Sequence, residues 1–146
     1  MRPDMELTLP ARAENIAIVR HALGGLGEAV EISDEKLSDI RLAVTEACAN
    51  VVVHAYPEGE EGVMLVSATV LDEELHVSVC DWGQGIRPRP DSPGLGLGLS
   101  LIAALSETVQ LGHDTAEHTE VRMTFLLSAD GAQANGAAAD IGAAST

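Results

Sequence analysis

A two-layer α/β sandwich, with a mostly antiparallel mixed sheet and helices on one face, is the architecture encoded by these 146 residues. Two observations predict it. Apolar segments follow the order strand, helix, helix, strand, strand, helix, strand, strand. Four of the five strands also fall into adjacent pairs joined by short connections, the mark of antiparallel hairpins. A 46 % hydrophobic content is enough for one core, and 2 % aromatics make that core aliphatic.

The elements justify themselves in turn. "MELTL" alternates Met5, Leu7 and Leu9 with polar residues and stops at Pro10, as a short strand does. Ile16, Val19 and Leu23 then recur at helical spacing from about Ala13 to Leu26, and "GGLG" is expected to close that helix. In "ISDEKLSDIRLAVTEACANVVVHAYP", Ser33 is the candidate N-cap. Asp34 and Glu35 sit in the first turn, where the helix dipole favours negative charge. Leu37, Ile40, Val44, Ala47 or Cys48, and Val51 continue its apolar stripe until Pro57 and "EGEEG". This is the longest helix expected.

"GVMLVSATVLDEELHVSVCD" reads as two strands joined at Leu71 to Glu74. In the second, Leu75, Val77 and Val79 face one way and His76, Ser78 and Cys80 the other. A Gly/Pro-rich loop from Trp82 to Gly94 leads into the helix "GLGLSLIAALSE". A last hairpin pairs "TVQL" with "TEVRMTFLL". Residues 1–128 form the expected domain, and the Ala/Gly-rich residues 129–146 an expected disordered tail.

The net charge of −15 repels phosphate backbones and anionic lipid, so direct nucleic-acid and membrane partners are not expected. No apolar run approaches the roughly 18 residues of a spanning helix, and the N-terminus lacks a signal-peptide pattern. Cys48 and Cys80, both in apolar surroundings, read as core thiols of a protein in the reducing cytoplasm. An acidic chain can still bind a nucleotide through backbone amides and a metal ion.

Four motifs carry candidate chemistry. In "EACANVVVHAY", Glu46, Asn50 and His54 recur every fourth residue, about 40° apart around a helix, beside the apolar stripe. Asn50 offers a neutral oxygen suited to Mg²⁺, and Glu46 a carboxylate able to accept a proton; a solvated helix face is the alternative. "DWGQG" follows a strand. There Asp81 can accept a hydrogen bond from an exocyclic amine such as adenine N6, while Gly83 and Gly85 allow a tight turn near a flat ligand, or simply form a turn. "PGLGLGLSLI" presents Gly94, Gly96 and Gly98 at a helix start, either as an anion site or for close helix packing. "EHTEVRMTF" opens the last strand with Thr119, whose hydroxyl can reach a base or cap a turn. Between Arg41 and Arg122 the only Lys or Arg residues are Arg87 and Arg89, in the loop joining the two glycine motifs. The histidines and cysteines have no zinc-ligand spacing along the chain.

In this order the motifs resemble the Bergerat (GHKL, histidine-kinase-like) ATP-binding fold, and most closely the small bacterial anti-sigma factor serine/threonine kinases. The resemblance runs from about Leu7 to Leu127 and includes "ARAENIAIVR". It implies Glu46 as general base, Asn50 as Mg²⁺ ligand and Asp81 as the adenine-recognising group, with Gly83 and Gly85 making room. It also implies that Gly94, Gly96 and Gly98 line the phosphates, that Thr119 supports the adenine pocket, and that His54 fills an often-basic position. Apart from the resemblance, Arg87 and Arg89, isolated cations beside the anion loop of an acidic chain, either help hold phosphate or supply surface charge. The implied cofactors are ATP and Mg²⁺. The implied partners are a sigma factor, an anti-sigma factor antagonist that receives the phosphate, and a second copy of the chain. Two features depart from the family: Ile86 to Pro93 is shorter than the usual lid over the phosphates, and His118 stands where glycine is usual. The short lid keeps open an alternative, a regulatory module that sequesters its partner, with or without ATP and without kinase activity.

Overall fold

The computed structural model describes residues 2–83, 93–113 and 118–128, with only the backbone described at 93–97 and 113. Its order is β1 (Met5–Pro10), α1 (Ala13–Ala29), α2 (Asp34–Asn50), β2 (Val63–Leu71), β3 (Glu74–Asp81), α3 (Pro93–Leu105), β4 (Thr108–His113) and β5 (Thr119–Leu126). A π-turn, Val51–Ala55, continues α2. The strands form one sheet in the order β1-β2-β3-β5-β4, and all four pairings are antiparallel. Pro10 occupies the last place on an edge strand, where its missing N–H breaks no ladder. Residues 129–146 lie outside the described part. Among the described residues no helix is long and apolar enough to cross a membrane.

Period-two alternation divides the sheet cleanly. Val66, Val77, Val79, Val121, Met123 and Phe125 are buried beneath the helices. On the helix-free face, Ser67, Ser78, Thr124 and Arg122 are half-buried or exposed. From above, Val19 and Leu23 of α1, Ile40, Val44 and Cys48 of α2, and Ile102 of α3 complete the core. The β2–β3 connection is the two-residue turn Asp72–Glu73, both at positive φ (54° and 62°). That is the backbone twist favoured by a tight hairpin, reached here without glycine.

α1 does not end at "GGLG". It runs through these glycines to Ala29 and closes on Glu31 (φ 62°), with Ile32 N donating to Gly27 O at 2.8 Å. The left-handed closing residue and the six-to-one bond make a Schellman cap. The glycines serve packing instead: a Cβ on Gly24 would overlap the Arg41 guanidinium, and one on Gly27 would stand 3.0 Å from Leu37 Cδ1. Arg41 Nε in turn donates to Arg20 O at 3.2 Å. α2 begins as expected, with Ser33 Oγ accepting from Lys36 N at 3.1 Å.

Burial pushes the Cys48 thiol up from 9.0 to about 12. Above the ordinary value the unfolded thiol releases a proton that the folded one keeps, so stability falls as pH rises from about 9 toward 12. Denaturant unfolding of Cys48→Ala across that range should show a shallower alkaline decline than the parent, by up to about 1.4 kcal/mol per pH unit. Equal slopes would count against a buried, protonated thiol.

Candidate functional site

The site is assembled where α2 gives way to the π-turn. Asn50, the last α-helical residue, is 6 % exposed, and its Nδ2 is buried with no hydrogen-bond partner among the described residues. Glu46, one turn earlier, is half-buried. Both side chains face Gly98 of α3: a Cβ there would stand 3.3 Å from Asn50 Nδ2 and 3.3 Å from Glu46 Oε1. Glycine at 98 therefore lets α3 cross α2 at the point where the carboxylate and the amide meet. α3 starts at Pro93, so Gly94 and Gly96 lie in its first turns rather than in a preceding loop. Proline suits a first helical position, and the first-turn amides have no partner within the helix.

Beyond Asn50 the backbone bonds i to i+5, and π-turns of this kind are frequent at functional sites. His54 stands in this π-turn and is half-buried.

Asp81 and Thr119 form a second group. They face each other across β3 and β5, on the helix-covered side, at 1 % and 4 % exposure. Asp81 Oδ1 accepts from Gly83 N at 3.0 Å, which fixes the turn after β3. Gly83 presses on the end of the π-turn, where a Cβ would overlap the Ala55 carbonyl oxygen and stand 2.8 Å from Tyr56 Cδ1. Gly85, Arg87 and Arg89, with most of the Ile86–Pro93 lid, lie outside the described residues.

Tyr56 is the residue the sequence reading passed over. Its hydroxyl accepts from Trp82 N at 3.0 Å and donates to Val63 O at 2.6 Å. One phenol thus braces the π-turn, the start of β2 and the turn beyond Asp81. The available signal was composition: it is the sole tyrosine, placed directly before the proline that ends the longest helix.

Five antiparallel strands under three helices, with a buried carboxylate–threonine pair at the strand ends and an amide–carboxylate pair on the central helix, define the Bergerat class of α/β sandwich. The chain belongs to the histidine kinase-like ATPase domain family, whose model matches residues 9–125, and so to a family of nucleotide-using domains. It is similar to the serine-protein kinase RsbW of Halalkalibacterium halodurans, 33 % identical over 86 % of this chain and 85 % of the relative. The serine-protein kinase RsbW of Bacillus mycoides is 30 % identical over 75 % and 78 % of the two chains. A crystal structure of the RsbU and RsbW domains of a Mycobacterium tuberculosis protein superposes with a TM-score of 0.69 at 26 % identity, covering 87 % of this chain and 33 % of that longer one. The fold also matches the SiaB–SiaC complex of Pseudomonas aeruginosa, at a TM-score of 0.56 and 16 % identity.

Tyr56→Phe should remove both phenolic hydrogen bonds and lower stability by about 1–2 kcal/mol, a fall of a few degrees in Tm. Thermal unfolding followed by Trp82 emission reads both effects, because Trp82 N is one of the two partners. An unchanged Tm and an unchanged native emission maximum would show that the brace carries no energy.

Proposed function

We propose that the surface shared by α2, α3 and the ends of β3 and β5 binds Mg-ATP and passes its γ-phosphoryl group to a serine or threonine hydroxyl of a small anti-sigma factor antagonist. The chain is a serine/threonine-protein kinase of the anti-sigma factor type. The sigma factor it sequesters, the antagonist, and a second copy of the chain are its proposed protein partners, and the cytoplasm its proposed location. The observation that carries the site is the meeting of Glu46 and Asn50 against Gly98. The RsbW relatives support the reaction class by their name, serine-protein kinase.

The donor set fits a hard cation bound with phosphate. Asn50 combines near-complete burial with an amide atom that has no partner among the described residues, and the two ends of an amide are isosteric. Turned one way it presents an oxygen to Mg²⁺; turned the other, an N–H to a phosphate oxygen. Asn50 is accordingly the residue assigned to hold Mg²⁺. When bound, that ion supplies neutralisation of charge across the phosphate oxygens.

Glu46 takes the proton of the attacking hydroxyl as its oxygen bonds to the γ-phosphorus. The bond from that phosphorus to the β–γ bridging oxygen breaks, ADP departs, and Glu46 returns its proton to solvent. The first turns of α3, containing Gly94 and Gly96, direct amides and the positive end of the helix dipole at the phosphates, which matters in a chain of net charge −15. Asp81 accepts from the adenine amine, and Thr119, opposite it, orients that carboxylate and the base. Gly83 lets the turn after Asp81 close onto the helix end, and Gly85 is assigned to making room for the ring. His54, Arg87 and Arg89 are assigned to the phosphate side.

Glu46→Ala should lower phosphate transfer to the antagonist by about 10²–10⁴-fold, while nucleotide affinity stays within a few-fold. Asn50→Ala should abolish the Mg²⁺ dependence of ATP binding, followed by Trp82 fluorescence and calorimetry. Undiminished transfer by Glu46→Ala would remove Glu46 from the reaction. Saturable ATP binding lost in Asn50→Ala would still locate the nucleotide.

A further inference from the structure

The helix-free face of the sheet carries a cluster that the nucleotide site does not use. Cys80, His118 and Glu120 each present one ligand atom, and these atoms lie within 4.8 Å of one another, Cys80 buried and the other two half-buried. Cys80 and Glu120 are directly paired across β3 and β5, and His118 stands two residues before Glu120 at the entrance to β5. The residues next along each strand, Asp81 and Thr119, point to the opposite face. The cluster is therefore back-to-back with the proposed adenine pocket and separate from it.

Its surroundings are those of an oriented ligand set. Ser78 Oγ donates to Glu120 Oε2 at 2.6 Å and lies 3.3 Å from Cys80 Sγ. Since the serine hydrogen is committed to the carboxylate, the thiol hydrogen is the one left for the Ser78–Cys80 contact. Arg122 Nη2 holds Glu120 Oε1 at 3.1 Å. The Trp82 ring lies 5.4 Å from the His118 ring, tilted by 39°, and restrains the imidazole. An open hollow of about 360 Å³, lined by Gln110, Leu111, Gly112, Glu120 and Arg122, adjoins the carboxylate and leaves access from solvent.

We propose that Cys80, His118 and Glu120 bind a divalent transition-metal ion of the zinc type, with a fourth position open to water or to a side chain of a partner. One sulfur, one imidazole nitrogen and one carboxylate oxygen are the ligand types zinc takes, and three protein ligands with an open position is the pattern of an accessible zinc site. Zinc bond lengths near 2.0–2.3 Å place tetrahedral ligand atoms about 3.5 Å apart, so closure requires a contraction of roughly 1 Å, within reach of side-chain rotation. On binding, the Cys80 S–H bond breaks, its electron pair becomes the sulfur–metal bond, and the proton leaves for solvent by way of Ser78. Glu120 turns one oxygen to the ion and keeps the other on Ser78, while the exposed Arg122 swings away. The consequence is a clamp across the ends of β3 and β5. Sequence spacing concealed it because two of the ligands stand on a different strand from the first.

The experiment uses the metal-stripped, reduced full-length chain, titrated with Co²⁺ and then with Zn²⁺. The expected result is one equivalent of Co²⁺ per chain with a thiolate-to-cobalt absorption band, displaced by Zn²⁺, and a change in Trp82 emission. Cys80→Ser and His118→Ala should each weaken binding by about tenfold or more, with circular dichroism confirming that the variants are folded. On the unmutated chain, Zn²⁺ should protect Cys80 from alkylation as read by peptide mass spectrometry. Absence of the thiolate band, equal affinity in Cys80→Ser, or unprotected Cys80 at saturating Zn²⁺ would each overturn the proposal.

Discussion

How closely α3 crosses α2 at Gly98 determines what the rest of the molecule can do. A Cβ at Gly98 would stand 3.3 Å from both Glu46 Oε1 and Asn50 Nδ2, closer than ordinary packing, so the two side chains lie against the opening turns of α3. The Asn50 amide nitrogen beside that crossing is buried and has no partner among the described residues, and such a group costs free energy until something bonds to it. Part of the binding free energy of a ligand at Asn50 therefore comes from satisfying a group that the fold has already desolvated. A looser crossing would hydrate the amide and make the approach of a ligand compete with water.

The sheet separates two chemistries by the thickness of one strand. Asp81 and Thr119 lie at the end of the core rows, whereas Cys80 and Glu120, adjacent in sequence, face outward among Ser78 and Arg122. Burial raises the Cys80 thiol above its ordinary range, with the Glu120 and Asp81 carboxylates adding to the effect and Arg122 opposing it. Tyr56 joins these parts mechanically. Its one hydroxyl ties the helix end to both a strand start and the turn that Asp81 closes, so the end of the α2 helix and the Asp81 turn share a frame.

The hairpins, the helix-facing rows of β3 and β5, and the Ser33 cap were legible because each is written in local spacing. Alternation of Leu75, Val77 and Val79 leaves little choice of face. The pairing of Glu46 with Asn50 was legible for the same reason, one turn of regular helix. What local spacing could not supply was the purpose of a glycine. "GGLG" has the composition of a helix stop, yet Gly24 and Gly27 lie beneath Arg41 and Leu37 of the next helix, and Glu31 takes the left-handed position instead. Tyr56 was overlooked because its partners, Val63 and Trp82, lie 7 and 26 residues away. The π-turn was not legible for a third reason: nothing in the spacing of "VVVHA" marks a change of winding.

That departure in winding also makes the helix end a matter of residue count as well as of shape. Five residues, Val51 to Ala55, bond in wider rings than an α-helix uses, so the segment holds more chain than its height requires. Deleting one residue there would let the backbone relax into ordinary α-helix with its core side chains still apolar. The chain beyond it, Tyr56 included, would keep nearly the same direction, because the residue removed is the one in excess. Loss of a single codon in this stretch would thus be absorbed by the winding itself, with its effect confined to the carbonyls and side chains of the turn.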